Sequence, residues 1–231
     1  MTELFGAALK GIGWVFLLAM TLPLLLLLFP KSSRLDSLSR GLITMLDEMS
    51  YRIGEAVKWA LPLLVISIAF SVFALSIFGL NWTKLSESAA YFHASVIMLG
   101  AAATLLAGQH VRVDIFHTRM SAKSRSLVDF MGFYALLFPV CLIIIWDSQS
   151  FVNFAWRIFE GSNENDGIQG VFLLKTLVPV FGVMMIAQGL SIAMRAAMCL
   201  HGKDRPARPS HTPPLFPPLS DRPHINSGDS P

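Results

Sequence analysis

The sequence predicts an all-α integral membrane protein. It reads as a four-helix transmembrane core with both core ends cytoplasmic, preceded by an amphipathic interfacial helix and a further apolar N-terminal segment. Three observations predict it. Hydrophobic residues make up 54% of the 231 and charged residues only 14%, against about 25% charged in a soluble domain. The apolar residues cluster into runs of about 20, the length a helix needs to cross a hydrocarbon core about 30 Å thick. Lys and Arg concentrate in alternate connections. This composition excludes a water-soluble enzyme and a disordered chain. Two cysteines, Cys141 and Cys199, make neither a disulfide framework nor a metal-ligand spacing.

Residues 1–33 hold the first apolar run, Ile12 to Phe29. The run is too long for a signal peptide, and no small-x-small cleavage site precedes Lys31. It is either an extra span, which would put Met1 outside, or sequence upstream of a true start such as Met45. In residues 34–57, Leu35, Leu38, Leu42, Met45, Met49, Ile53 and Val57 recur every three or four positions with charges between them. That pattern predicts a helix lying on the inner membrane surface or packed on a partner. Residues 58–200 carry the four core spans: Trp59–Leu80, Ala89–Gln109, Leu127–Trp146 and Val171 to about Leu200. In lipid each backbone polar group must bond within its own segment, hence helices. The period-2 alternation of a membrane β-barrel is absent. Trp59, Trp82 and Trp146 mark span ends, where indole rings prefer the headgroup layer. Ser121 is placed to cap the helix that becomes the third span. Residues 201–231 form a proline-rich tail without apolar periodicity, expected to be disordered and cytoplasmic.

Orientation follows from charge. Lys31, Arg34, Arg40, Arg52 and Lys58 precede the first core span. Arg112, Arg119, Lys123 and Arg125 follow the second, and Arg195, Lys203, Arg205, Arg208 and Arg222 lie at or beyond the fourth. The opposite side has Lys84 and Arg157, with Asp147, Glu160, Glu164 and Asp166 making the longer loop there acidic. The basic side is therefore read as cytoplasmic.

Few residues could carry chemistry. His93 sits early in the second span and reads as hydrogen-bonded structure before ligand. A haem between His93 and His110 fails, because 17 residues on one helix separate them by about 25 Å. Asp129 begins the third span, within reach of water, Arg112 or Arg125. Lys175 enters the fourth span from outside, where its long side chain can reach back to the surface. Gln188 is the one deep amide, suited to interhelical hydrogen bonding. Gly100, Thr104 and Gly108 form a small-residue face for close helix approach, with the neighbour undetermined. Nothing resembles the broken, polar helices of a self-sufficient carrier. Nucleotide-binding, zinc and nucleophile–base motifs are also lacking.

The stretch from about Met45 to Cys199 resembles the small membrane subunit (DctQ type) of tripartite ATP-independent periplasmic (TRAP) transporters. The resemblance rests on four features together. Glu87 lies in a short outer loop, and the run His110-Val111-Arg112-Val113-Asp114 closes the second span. Glu160-Gly161-Ser162 lies in the longer outer loop, and Pro179 in the outer half of the last span. The resemblance implies a bacterial inner-membrane protein, neither an enzyme nor a cofactor carrier, in ion-gradient-driven uptake of an organic acid. Its implied partners are a large permease (DctM type), a periplasmic substrate-binding protein (DctP type) and membrane lipid, with no nucleic acid. It implies a fixed frame for the large permease, in which the 110–114 run serves assembly. The alternatives are a small self-sufficient four-helix carrier, for which Gln188 is thin support, and the anchor subunit of a membrane redox complex. The latter would need clustered ligands at one depth, and His93, Asp129 and Cys141 lie at different depths.

Overall fold

The computed structural model describes residues 18–108, 120–204 and 206. Among them every regular element is a helix, and four helical stretches are long and apolar enough to cross a membrane. In chain order the elements are α1 (Leu18–Leu28), α2 (Ser33–Val57), α3 (Ala60–Phe78) and α4 (Thr83–Ala107). They continue with α5 (Ala122–Gly132), a π-helical turn (Phe133–Leu137), α6 (Phe138–Ile158) and α7 (Val171–Leu200).

Local chemistry sets the ends. Ser32 caps α2 by accepting from the Leu35 N–H, with Asp36 in the first turn where the helix dipole favours an acid. Ser121 caps α5 as expected, accepting from the Ser124 N–H at 3.2 Å. Gly79 and Gly108 end α3 and α4 in the left-handed conformation that glycine adopts without a Cβ penalty. Phe159 ends α6 in that same conformation, at φ 47°, although it carries a side chain.

The third span is not a uniform helix. Pro139 has no N–H to give the carbonyl of Ala135, and its ring crowds that turn. The chain relieves this by widening into the π turn immediately before it. Helical order also runs further than hydropathy: α4 starts six residues before Ala89, and α6 continues twelve past Trp146. Backbone hydrogen bonding does not stop where apolar side chains do, so the outer connection shrinks to residues 159–170.

The last helix organises the core. Of the most apolar stretch of α7, 61% is buried, against 11–17% in the other three spanning stretches. It packs against α2, α4, α5 and α6, whereas α3 packs chiefly on α4. Close approach is made by glycine. A Cβ on Gly182 would lie 2.7 Å from Ile145, and one on Gly189 would lie 2.7 Å from Phe133 and 2.8 Å from Leu137. The α3–α4 seam uses serines: Ser71 and Ser86 hydroxyls meet at 3.0 Å, and Ser88 donates to Ser67 at 3.3 Å. In α1, Met20, Leu22 and Leu26 are buried in the core, and the Tyr134 hydroxyl donates to the Met20 carbonyl at 2.6 Å.

Candidate functional site

Two polar clusters stand out, one toward each end of α7. The first joins α2 to α7. On α2, Ser39, Ile43, Leu46 and Ser50 recur at alternating spacings of four and three and are buried, and Asp47 lies beside them at 1% exposure. On α7, Gln188, Ser191 and Arg195 share a face at i, i+3 and i+7. The two faces meet at the Asp47 carboxylate. Its Oδ1 accepts from Gln188 Nε2 at 3.1 Å, Ser191 Oγ at 2.6 Å and Arg195 Nη1 at 3.2 Å, and its Oδ2 from Arg195 Nη2 at 2.5 Å. A buried carboxylate is tolerable only when its lone pairs are filled in this way. Among the described residues, Gln188 Oε1 and the Ser39 and Ser50 hydroxyls are buried without a partner.

The chain after α7 then folds back over this cluster. Lys203 pairs with Asp36 at 2.5 Å, Arg40 donates to the Asp204 carbonyl at 3.1 Å, and Arg195 Nε donates to the Pro206 carbonyl at 3.2 Å. Two ion pairs on α2, eleven residues apart, fix both its roll and its axial register against α7. The opposite face of α2 leaves Leu38, Met45 and Met49 exposed.

The second cluster holds the outer connection. Glu87, in the second turn of α4, accepts from the Ser162 hydroxyl and from the Ile168 N–H at 2.6 Å. Ser162 N–H donates to the Ile168 carbonyl at 3.2 Å, closing a compact loop whose Gly167 has no space for a Cβ. Glu160 takes Lys175 with both oxygens at 2.6 Å, so the Lys175 ammonium points to the loop. Lys84 and Asp166 pair at 2.8 Å on the exposed rim. The left-handed turn at Phe159 reverses the chain into this loop, and Phe159 packs edge-on against Phe172.

The structure thus joins Glu87 with Ser162 and Glu160 with Lys175, and it buries Gln188 at the inner cluster. His93 is exposed on α4. Asp129 is half-buried and, among the described residues, forms no ion pair; Arg125 donates to the Met120 carbonyl instead. Among the described residues nothing lies within 4 Å of a Cβ built on Gly100, while Thr104 bonds its own helix at Ala101 and Gly108 serves as a helix end. The run His110, Val111, Arg112, Val113, Asp114 lies outside the described residues. Among the described residues no cluster of His, Cys, Asp and Glu could hold a metal ion.

Sequence reasoning missed Asp47 and Arg195 as a pair. It left Asp47 unnamed among the charges between the apolar residues of 34–57 and counted Arg195 with the basic tail. The available signal was a carboxylate in register with the small residues Ser39 and Ser50, matched by Gln188, Ser191 and Arg195 on one helical face.

Residues 64–198 match the family described as Tripartite ATP-independent periplasmic transporters, DctQ component. No curated protein and no solved structure matches the chain.

Proposed function

The chain belongs to the DctQ component family of tripartite ATP-independent periplasmic transporters, and from that membership we propose that it is the fixed membrane frame of such a system. In this reading it sits in the bacterial inner membrane with both core ends cytoplasmic. It binds a large permease (DctM type) that carries the substrate and ion sites, and performs no chemistry itself. A periplasmic binding protein (DctP type) delivers an organic acid, and an ion gradient drives its uptake.

The observation that carries this reading, beside the family match, is the distribution of burial. Among the described spanning stretches only α7 is mostly enclosed, and α3 leaves Leu63, Ile66, Phe70, Phe73 and Ile77 exposed along its length. A chain with so much unpartnered apolar surface is suited to lie between lipid and other helices. A frame for a moving permease must also resist sinking and tilting. Span-end tryptophans and basic flanks set depth, and α2, tied to α7 at Asp47 and Asp36, adds a rigid arm at the membrane surface. The rim formed by Glu87, Glu160, Ser162 and Asp166 is the surface offered to the binding protein. The 110–114 run is assigned to assembly on the cytoplasmic side.

Co-expression with a large permease of the same family tests this. A stable heteromeric complex in detergent is expected, with uptake in vesicles only when both membrane chains are present. Uptake by this chain reconstituted alone would overturn the proposal.

A further inference from the structure

We propose that the gap between α4 and α5 is a binding groove for one acyl chain of an amine-headed phospholipid, phosphatidylethanolamine, with Asp129 receiving the ammonium. Both helices pack on α7. Between them lies a cavity of about 260 Å³ with α7 as its floor. Its walls are apolar, with Leu105 from α4, Val128 from α5, Leu137 from the π turn and Ile192 from α7. Gly132 widens it, since a Cβ there would meet no atom within 4 Å.

Among the described residues one charged side chain lines this cavity, and it is Asp129. Among the described residues the carboxylate has no hydrogen bond or ion pair, although Arg125 is one helical turn away and engaged elsewhere. Asp129 is seven residues beyond Ala122, about 10 Å along α5 from its polar start. That is the depth at which a headgroup meets its acyl chains in a helix entering the bilayer at Ser121. An acid at the mouth of an apolar slot favours a cationic ammonium and opposes a purely anionic headgroup such as phosphatidylglycerol. The assignment to the cytoplasmic leaflet rests on the orientation proposed above; the headgroup preference does not.

Native mass spectrometry of the full chain, in complex with its permease and alone, tests the proposal with equal added phosphatidylethanolamine and phosphatidylglycerol. The wild type is expected to retain phosphatidylethanolamine about five-fold over phosphatidylglycerol, the upper end for a partly exposed ion pair. Asp129→Asn should bring that ratio to about one. Gly132→Leu should lower retention of both lipids, since the added side chain fills the slot. Val128→Phe serves the same purpose if Gly132→Leu does not fold. Unchanged retention in the slot-filling variants would overturn the groove, and an unchanged ratio in Asp129→Asn would overturn the role of the carboxylate. A groove occupied by a permease helix would show as lipid retention by the isolated chain that disappears in the complex, and would also overturn it. Failure to form any complex would count against the proposed function alone, because the lipid readout needs only this chain.

Discussion

Replacing Asp47 tests the contact on which the placement of α2 depends. The carboxylate is 1% exposed and accepts four hydrogen bonds, two of them from Arg195, whose side chain is 11% exposed. Asp47→Leu takes the carboxylate from the guanidinium and leaves it neutral acceptors, among them the Ser191 hydroxyl and the Pro206 carbonyl, in a site where little water can compensate the lost charge pairing. Breaking one side of a buried pair costs about 3–5 kcal/mol. Arg195→Met leaves the carboxylate with Gln188 and Ser191 as its donors, which places that variant near the low end of the same range. The double variant removes both charges and leaves an apolar contact, a swap that is often near neutral. The two single costs should therefore exceed the double cost by at least about 2 kcal/mol. The assay is reversible unfolding of the purified chain in mixed micelles, with trypsin sensitivity at Arg40 and Arg52 reporting release of α2. Additivity within about 0.5 kcal/mol, or single variants costing under about 1 kcal/mol, would refute the claim that this pair holds α2.

Three further outcomes are expected. Gly189→Ala should cost about 1–3 kcal/mol by overpacking against Phe133 and Leu137, whereas Gly100→Ala should leave stability within about 0.5 kcal/mol; the same unfolding assay separates them. Glu87→Gln should loosen the outer connection through its weakened bonds to Ser162 and Ile168, seen as faster proteolysis within residues 159–170 while the helices stay protected. Arg112→Glu should lower the yield of complex with the permease and leave the apparent substrate affinity of the assembled transporter unchanged; a shifted affinity at normal yield would contradict its assignment to assembly.

Much of the architecture was legible because the bilayer imposes a length rule that composition obeys. The runs at Trp59–Leu80 and Val171–Leu200 became α3 and α7 within two residues at each end. The face of α2 was not legible for a physical reason. Counting apolar residues selects Leu38, Met45 and Met49, which are exposed, while the packed face mixes Ile43 and Leu46 with Ser39, Asp47, Ser50 and Gly54. A Cβ on Gly54 would lie 2.5 Å from that of Ala103. Helices in this setting meet through small residues, so hydrophobicity marks the edge of the packed face, where Leu35 and Leu42 touch the core, and misses its centre. The π turn was hidden too: the widening ahead of Pro139 depends on carbonyl crowding that periodicity does not encode. At the outer connection, Glu87, Glu160 and Ser162 were singled out through the family resemblance, but the pairing of Glu87 with Ser162 and of Glu160 with Lys175 is tertiary information.

The central place of α7 bears on how the protein is made. The ribosome delivers this helix after α1 to α6, so α2, α4, α5 and α6 are made before the surface they share exists. Until then α2, α3 and α4 have only one another to pack on, and Asp47 waits without its guanidinium. A stop codon or frameshift anywhere before residue 195 would remove that guanidinium, so truncations near the C-terminus should be as damaging as early ones and should send the product to membrane proteases.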